Sequence, residues 1–244
     1  MEIFQPARRV QRVRHELRQR DVEVIRAEPM GSDFISVVFK GDALEDFVSA
    51  SFDDHIKFMF SGPDGEQVRR DYTPRRFDRD RRELAIEFAC HGDGKASEWA
   101  RHAVAGQRAV IAGPRGSMII PADYDWHLLA GDASALPAIR RRLEELAASA
   151  KAIVIVLADA ADRRRFATEA QLDLHWVGSA DELVSTLRAM PLPPGEGFAW
   201  CAGEAAAMAV VRDVLYREKG HPKEAMRIAA YWKRGAAAHH ENLE

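Results

Sequence analysis

The residues best suited to chemistry stand together at Arg70-Asp71-Tyr72-Thr73-Pro74-Arg75. A cation, an aromatic face and a hydroxyl fall within one short extended segment, where alternate side chains share a face and Arg70 and Tyr72 point together. A flat aromatic cofactor carrying a diphosphate would use all three: guanidinium to phosphate, ring against ring, hydroxyl to a ring heteroatom. A plain half-exposed strand accounts for the same residues, because Arg and Tyr are common there.

A second group is His91-Gly92-Asp93-Gly94-Lys95-Ala96-Ser97. Its glycines let backbone N–H groups approach a phosphate, and Ser97 is expected to cap a helix whose start attracts anions. A simple turn with an N-cap fits the same letters. Neither the Gly-x-Gly-x-x-Gly fingerprint nor a P-loop occurs. Instead a strand ending at Ala130 runs into Gly131-Asp132-Ala133-Ser134, and a later one into Cys201-Ala202-Gly203-Glu204. Tight turns at the carboxyl ends of strands in an open sheet are where a nucleotide would approach.

Two rhythms position these groups. From about residue 20 to 120, short apolar runs (22–25, 34–39, 56–60, 84–89 and 108–112) alternate with turns such as Gly31-Ser32-Asp33 and Gly62-Pro63-Asp64-Gly65, the pattern of a sandwich or barrel. After Gly113-Pro114-Arg115-Gly116 the chain alternates strand and helix. Strands are expected at 126–130, 153–158, 172–177, 198–202 and 228–231, and helices after Leu136 and after Glu204. The expected architecture is an antiparallel β-barrel over 15–122 followed by an open parallel-sheet α/β domain over 123–244.

Composition narrows the function. Hydrophobic residues are 47%, charged residues 30% and the net charge is −3, which argues against a nucleic-acid binder. The basic stretch Arg8, Arg9, Arg12, Arg14, Arg18 and Arg20 reads as a solvated segment. No run suits a signal peptide or a membrane span, so a cytoplasmic location without membrane insertion is expected. Cys90 and Cys201 are far apart in sequence and read as buried packing residues.

In this order the pieces resemble the ferredoxin reductase superfamily, and within it the siderophore-interacting protein family. The residues carrying the resemblance are Arg70 to Arg75, His91 to Gly94 with Ala96, Ser97 and Trp99, Gly113 to Gly116, Ala130 to Asp132 with Ala135 to Ile139, Ala202 to Glu204, and Tyr231-Trp232-Lys233-Arg234-Gly235. One departure is Asp132-Ala133-Ser134, where an Asp-Glu-Thr type of turn is common in the family.

The resemblance implies a flavin-binding barrel and a nicotinamide-nucleotide-binding domain, with FAD as cofactor, NADPH or NADH as donor and a ferric siderophore as substrate. By it, Arg70 holds the FAD diphosphate, Tyr72 packs on the flavin and Thr73 reaches the edge that accepts hydride. His91, Gly92, Gly94, Ala96 and Ser97 complete the cradle, while Gly131, Asp132, Gly203 and Glu204 border the nucleotide. Arg163 and Arg164, after an apolar strand, are placed for a 2′-phosphate, against Asp159, which suits a free 2′-hydroxyl. Lys233 and Arg234 are assigned to the substrate rim, and Trp232 either walls that rim or packs. No protein metal site is implied, and His239-His240 reads as a solvated tail. The alternatives are a general flavin or ferredoxin-type reductase, whose partner would be a ferredoxin, and a non-catalytic siderophore carrier.

Overall fold

Alternating burial rolls the first half of the chain into a barrel. Seven antiparallel strands, β2 (Gln19–Pro29), β3 (Phe34–Lys40), β4 (Ile56–Ser61), β5 (Gln67–Tyr72), β6 (Arg76–Asp78), β7 (Glu83–Ala89) and β8 (Arg108–Ala112), pair in the order β5-β4-β8-β2-β3-β7-β6. Phe58 of β4 meets Phe88 of β7 at 5.2 Å although β8, β2 and β3 lie between them in the sheet, so the sheet must curl back on itself. Helix α1 (Lys95–Arg101) plugs the interior with Trp99, which packs edge-on against Phe58 at 4.7 Å. In a computed structural model of the protein the described residues are 9–62, 64–90, 94–236 and 241–243. Of the candidates, His91, Gly92, His239 and His240 lie outside them.

The second half is a sheet in the order β12-β11-β10-β13-β14-β15, with β10 (Trp126–Asp132), β11 (Lys151–Leu157), β12 (Gln171–Val177), β13 (Gly197–Glu204) and β14 (Met226–Trp232) parallel. β15 (Glu241–Asn242) adds an antiparallel edge, which makes the sheet mixed. Helix α2 (Leu136–Glu145) covers one face; α3 (Ala180–Ala189) and α4 (Ala205–Asp213) cover the other. Helix α3 has no counterpart in the sequence expectations. Ser179 caps it by accepting from Glu182 N–H, and only Leu183 and Leu187 are deeply buried, a stripe too sparse to stand out by periodicity. The strand order reverses between β10 and β13, which opens a crevice at the carboxyl ends of the strands.

Three local expectations are corrected. The basic N-terminal stretch is not simply solvated: β1 (Gln11–Arg14) pairs with β9 (Gly116–Ile119), Arg20 is buried on Asp46, and Arg9 lies 4.4 Å over the Tyr124 ring between Asp123 and Glu196. Its acids come from distant segments, which a local charge count does not reveal. Ser97 is not the N-cap of α1; the helix begins earlier, at Gly94 in extended conformation, and the Ser97 hydroxyl reaches back to Ala89 O. The third is the antiparallel edge strand β15. Both cysteines are free and buried as expected, and burial pushes the Cys201 thiol up to about 12. Among the described residues no helix is long and apolar enough to cross a membrane.

His127 on β10 is buried at 1% exposure with Nε2 on Ala122 O at 3.2 Å; burial, with Arg142 adding to it, pushes the imidazole down to about 4. A base whose folded pKa is depressed contributes stability that is present above the unfolded value and lost as pH falls toward the folded one. The penalty should reach about 2 kcal/mol at pH 5. Urea unfolding between pH 7.5 and 4.5 should show this loss, and His127→Gln should flatten it.

Candidate functional site

The end of β5 is fixed before any ligand arrives. Pro74 has no N–H to continue the ladder, and the buried Arg75 turns inward to helix α2. Its Nη1 donates to Glu144 Oε2 at 2.9 Å, Nη2 reaches Glu144 Oε1, and Nε lies 3.3 Å from Glu87 Oε1. Arg141 of α2 donates to Pro74 O at 2.9 Å and to Ser49 O at 3.0 Å. Thr73, between these anchors, is buried at 7% exposure.

Between the two sheets this arrangement leaves a cleft of about 640 Å³. Of the residues singled out in the sequence, Arg70, Asp71, Tyr72, Thr73, Gly94, Ala96, Ser97, Asp132, Ala133, Ser134, Pro137, Asp159, Tyr231 and Trp232 line it. The β4–β5 register sets Lys57 opposite Asp71, and Lys57 Nζ holds Asp71 Oδ2 at 2.7 Å. Arg70 is half-buried, donates to Arg69 O at 2.7 Å and meets no carboxylate among the described residues. The Tyr72 phenol is pushed up by burial, with Arg70 acting against the shift. Across the cleft stands Tyr231, whose phenol is pushed up by burial, with Asp53 adding to the shift.

Asp132 is the hub of the opposite wall. Its Oδ1 accepts from Ser134 N–H at 2.9 Å and from the Ser134 hydroxyl, and its Oδ2 accepts from Glu204 N–H and Trp232 Nε1, both at 2.8 Å. Trp232 lines the cleft and, 40% exposed, is held there by this hydrogen bond rather than by packing. Gly131, Gly203 and Glu204 do not line the cleft. A Cβ on Gly131 would lie 2.0 Å from Ala202 O, and one on Gly203 2.6 Å from Asp132 Oδ2, so both glycines let β10 and β13 approach. Glu204 caps α4: burial pushes its carboxyl up, but the N–H groups of Ala207, Arg234 and Ala206 hold it below the usual range.

The remaining candidates sit outside the lining. Arg164 is half-buried 4.7 Å over the Phe34 ring and donates to Met30 O, tying the sheet to the β2–β3 turn. Arg163 is exposed beyond β11, with Nε 3.4 Å from Ala158 O. Lys233 and Arg234 are exposed just past Trp232. Reading by motif passed over His55, Lys57 and Arg69, which also line the cleft, and Glu87. Only Glu87 left a local signal, an acid in the middle of the apolar run 84–89.

Comparison with known proteins agrees with this geometry. The family model described as "Siderophore-interacting FAD-binding domain" matches residues 61–118, and that described as "Siderophore-interacting protein" matches 124–235. The chain is 37% identical over 245 residues to the NADPH-dependent ferric-chelate reductase of Escherichia coli K12, covering 91% of this chain and 96% of that one. A siderophore utilization protein from T. fusca superposes with a TM-score of 0.89 at 30% identity, covering 94% and 98% of the two chains. The ferredoxin reductase of carbazole 1,9a-dioxygenase, at 17% identity and a TM-score of 0.66 over 86% of this chain and 68% of its own, shares the fold.

The two kinds of glycine should separate in a melting experiment. Gly131→Ala forces overpacking against Ala202 O and is expected to cost about 1–3 kcal/mol, lowering Tm by roughly 2–4 °C per kcal/mol. At Gly94 the nearest atom to a Cβ is Ser97 Oγ at 3.5 Å, so Gly94→Ala should leave Tm at the wild-type value or slightly above it.

Proposed function

The chain belongs to the siderophore-interacting protein family, and from that premise we propose that it is an FAD-dependent reductase passing electrons from NADPH to the iron of a ferric siderophore. The observation that carries this reading is the cleft itself, which joins the Arg70-Tyr72-Thr73 strand end to the switch point of an open parallel sheet.

The residues present fit an FAD. Arg70 offers a half-buried guanidinium that meets no carboxylate among the described residues, Tyr72 offers a ring, and among the described residues no side chain caps the first N–H groups of α1. In this reading Arg70, Gly94, Ala96 and Ser97 hold the diphosphate, with His91 and Gly92 assigned there by the family pattern. Tyr72 packs on the ring system. Thr73, buried at the end of β5, hydrogen-bonds its reacting edge. The cofactor, when bound, accepts a hydride and gives up its electrons one at a time. One NADPH thus reduces two Fe³⁺ to Fe²⁺ and leaves one proton for solvent. Oxygen chelators hold Fe²⁺ far more weakly than Fe³⁺, so the metal is released to the cell. The donor is an intracellular nucleotide, which places the reaction in the cytoplasm.

The nucleotide approaches the Asp132 wall, where Gly131, Gly203 and Glu204 shape the strand ends behind it. Arg163 is open to the 2′-phosphate, whereas Arg164 is committed to Phe34 and Met30 and contributes by fixing the turn. Arg69 in the cleft, with Lys233 and Arg234 just outside it, forms a basic approach for an anionic chelate.

The protein should purify yellow or become so with added FAD; a preparation that shows no bound-flavin spectrum after incubation with FAD would sink the reading. Arg70→Ala should weaken FAD affinity by roughly ten-fold to over a hundred-fold, from the loss of about 1.5–3 kcal/mol. Thr73→Ala should keep its FAD and slow flavin reduction in stopped flow. The double change Lys233→Ala and Arg234→Ala should raise KM for a triply anionic ferric catecholate and flatten its salt dependence, leaving reduction by NADPH intact.

A further inference from the structure

Among the described residues lining the cleft, Glu87 is the one buried acid, at 6% exposure. Its strand neighbours Ile86 and Phe88 belong to the barrel core, and period-two alternation sends Glu87 to the opposite face, under helix α2. One of its oxygens is fully engaged. Oε1 lies 3.3 Å from Arg75 Nε and pairs with Arg140 Nη1. The other, Oε2, is buried and has no hydrogen-bond partner among the described residues.

Glu144 already takes both terminal nitrogens of Arg75, so two acids face two guanidiniums. The Glu87 carboxylate keeps an unpartnered Oε2, and Arg75 Nε beside it is likewise buried without a hydrogen-bond partner among the described residues. Its charge is thus only loosely satisfied by the clamp, in a residue of the same cleft as Tyr72 and Thr73.

We propose that Glu87 is a positioning residue that sets the reduction potential of the bound flavin: its buried carboxylate opposes, through space, the negative charge the flavin gains on reduction. The proposal rests on the FAD reading above. A charge in a water-poor cleft acts strongly on its neighbours, and charge near the ring is a principal means by which a protein tunes a flavin. The reduced cofactor becomes a stronger reductant, as an Fe³⁺ stabilised by oxygen chelators requires. Arg75 and Arg140 moderate the effect, so the potential follows the balance between Glu87 and its two guanidiniums.

The test is the midpoint potential of the FAD-loaded protein, measured by dye-coupled spectroelectrochemistry. Glu87→Gln keeps the shape and removes the charge. It should raise the potential by at least a ten-fold change in the two-electron equilibrium, about 30 mV. Arg140→Gln uncovers the carboxylate and should lower the potential. Opposite signs sustain the proposal. A clamp that had merely loosened would move both variants the same way or neither, and either result overturns it. If Glu87→Gln does not fold or retain FAD, Arg140→Gln decides alone: a fall sustains the role, and no change or a rise overturns it. Loss of FAD from both variants, with wild type still loaded, reduces the pair to a structural clamp and overturns the proposal. A wild-type protein that takes up no FAD instead refutes the underlying reading, a separate outcome visible before any potential is measured.

Discussion

Helix α2 turns three consecutive arginines toward the barrel, and the rest of the site hangs on that contact. At about 100° per residue three neighbours sweep more than half the helix circumference, so all three find partners only where the barrel wraps the helix. Arg140 reaches Glu87, Arg141 holds Ser49 O and Pro74 O, and Arg142 donates to Pro121 O while lying 4.9 Å over the Phe52 ring. Buried ion pairs of this kind contribute little net stability against the desolvation they demand. Their effect here is geometric: they accept one arrangement of sheet against barrel and penalise others, which fixes the width of the cleft.

Further ties close the same interface. The buried Asp162 carboxylate accepts from Ser32 N–H at 3.0 Å and Asp33 N–H at 3.1 Å, capping the β2–β3 turn from the other sheet. Asp53 receives the indole N–H of the fully buried Trp200 at 2.7 Å and the Arg227 Nε at 3.2 Å. Each joins residues more than a hundred positions apart in sequence. The mouth between these ties stays open, which suits a substrate as bulky as a chelated metal.

This division explains what the sequence disclosed. Strands such as Ile56–Ser61 and Gly197–Glu204 were legible because their burial is strongly one-sided or complete, and the Arg70 to Arg75 segment because its chemistry is contiguous. Helix α3, the β1–β9 ribbon and the short β6 were not: each is held by partners remote in the chain and carries little pattern of its own. Within the site the same limit applies. Tyr231 and Glu87 acquire meaning only once the sheets are brought together. Gly131 and Gly203 were noticed as turn residues near a ligand, while sterically they serve the approach of two strands.

Strand register also decides the electrostatics. Arg70 and Asp71 are adjacent, and in an unfolded chain they would screen each other. In the folded sheet Lys57 stands opposite Asp71 and takes its carboxylate, while alternation sends Arg70 to the face it shares with Tyr72. A slip of one residue between β4 and β5 would turn every side chain of β5 to the other face, putting the guanidinium and the tyrosine on the face of Lys57 and the acid on the face of Phe58. That slip is opposed from both ends, because the same register buries Phe58 and Val68 in the barrel and Pro74 with Arg75 pins the strand to α2. The charge at Arg70, which meets no carboxylate among the described residues, is thus a product of packing, not of composition, in a chain whose net charge is only −3.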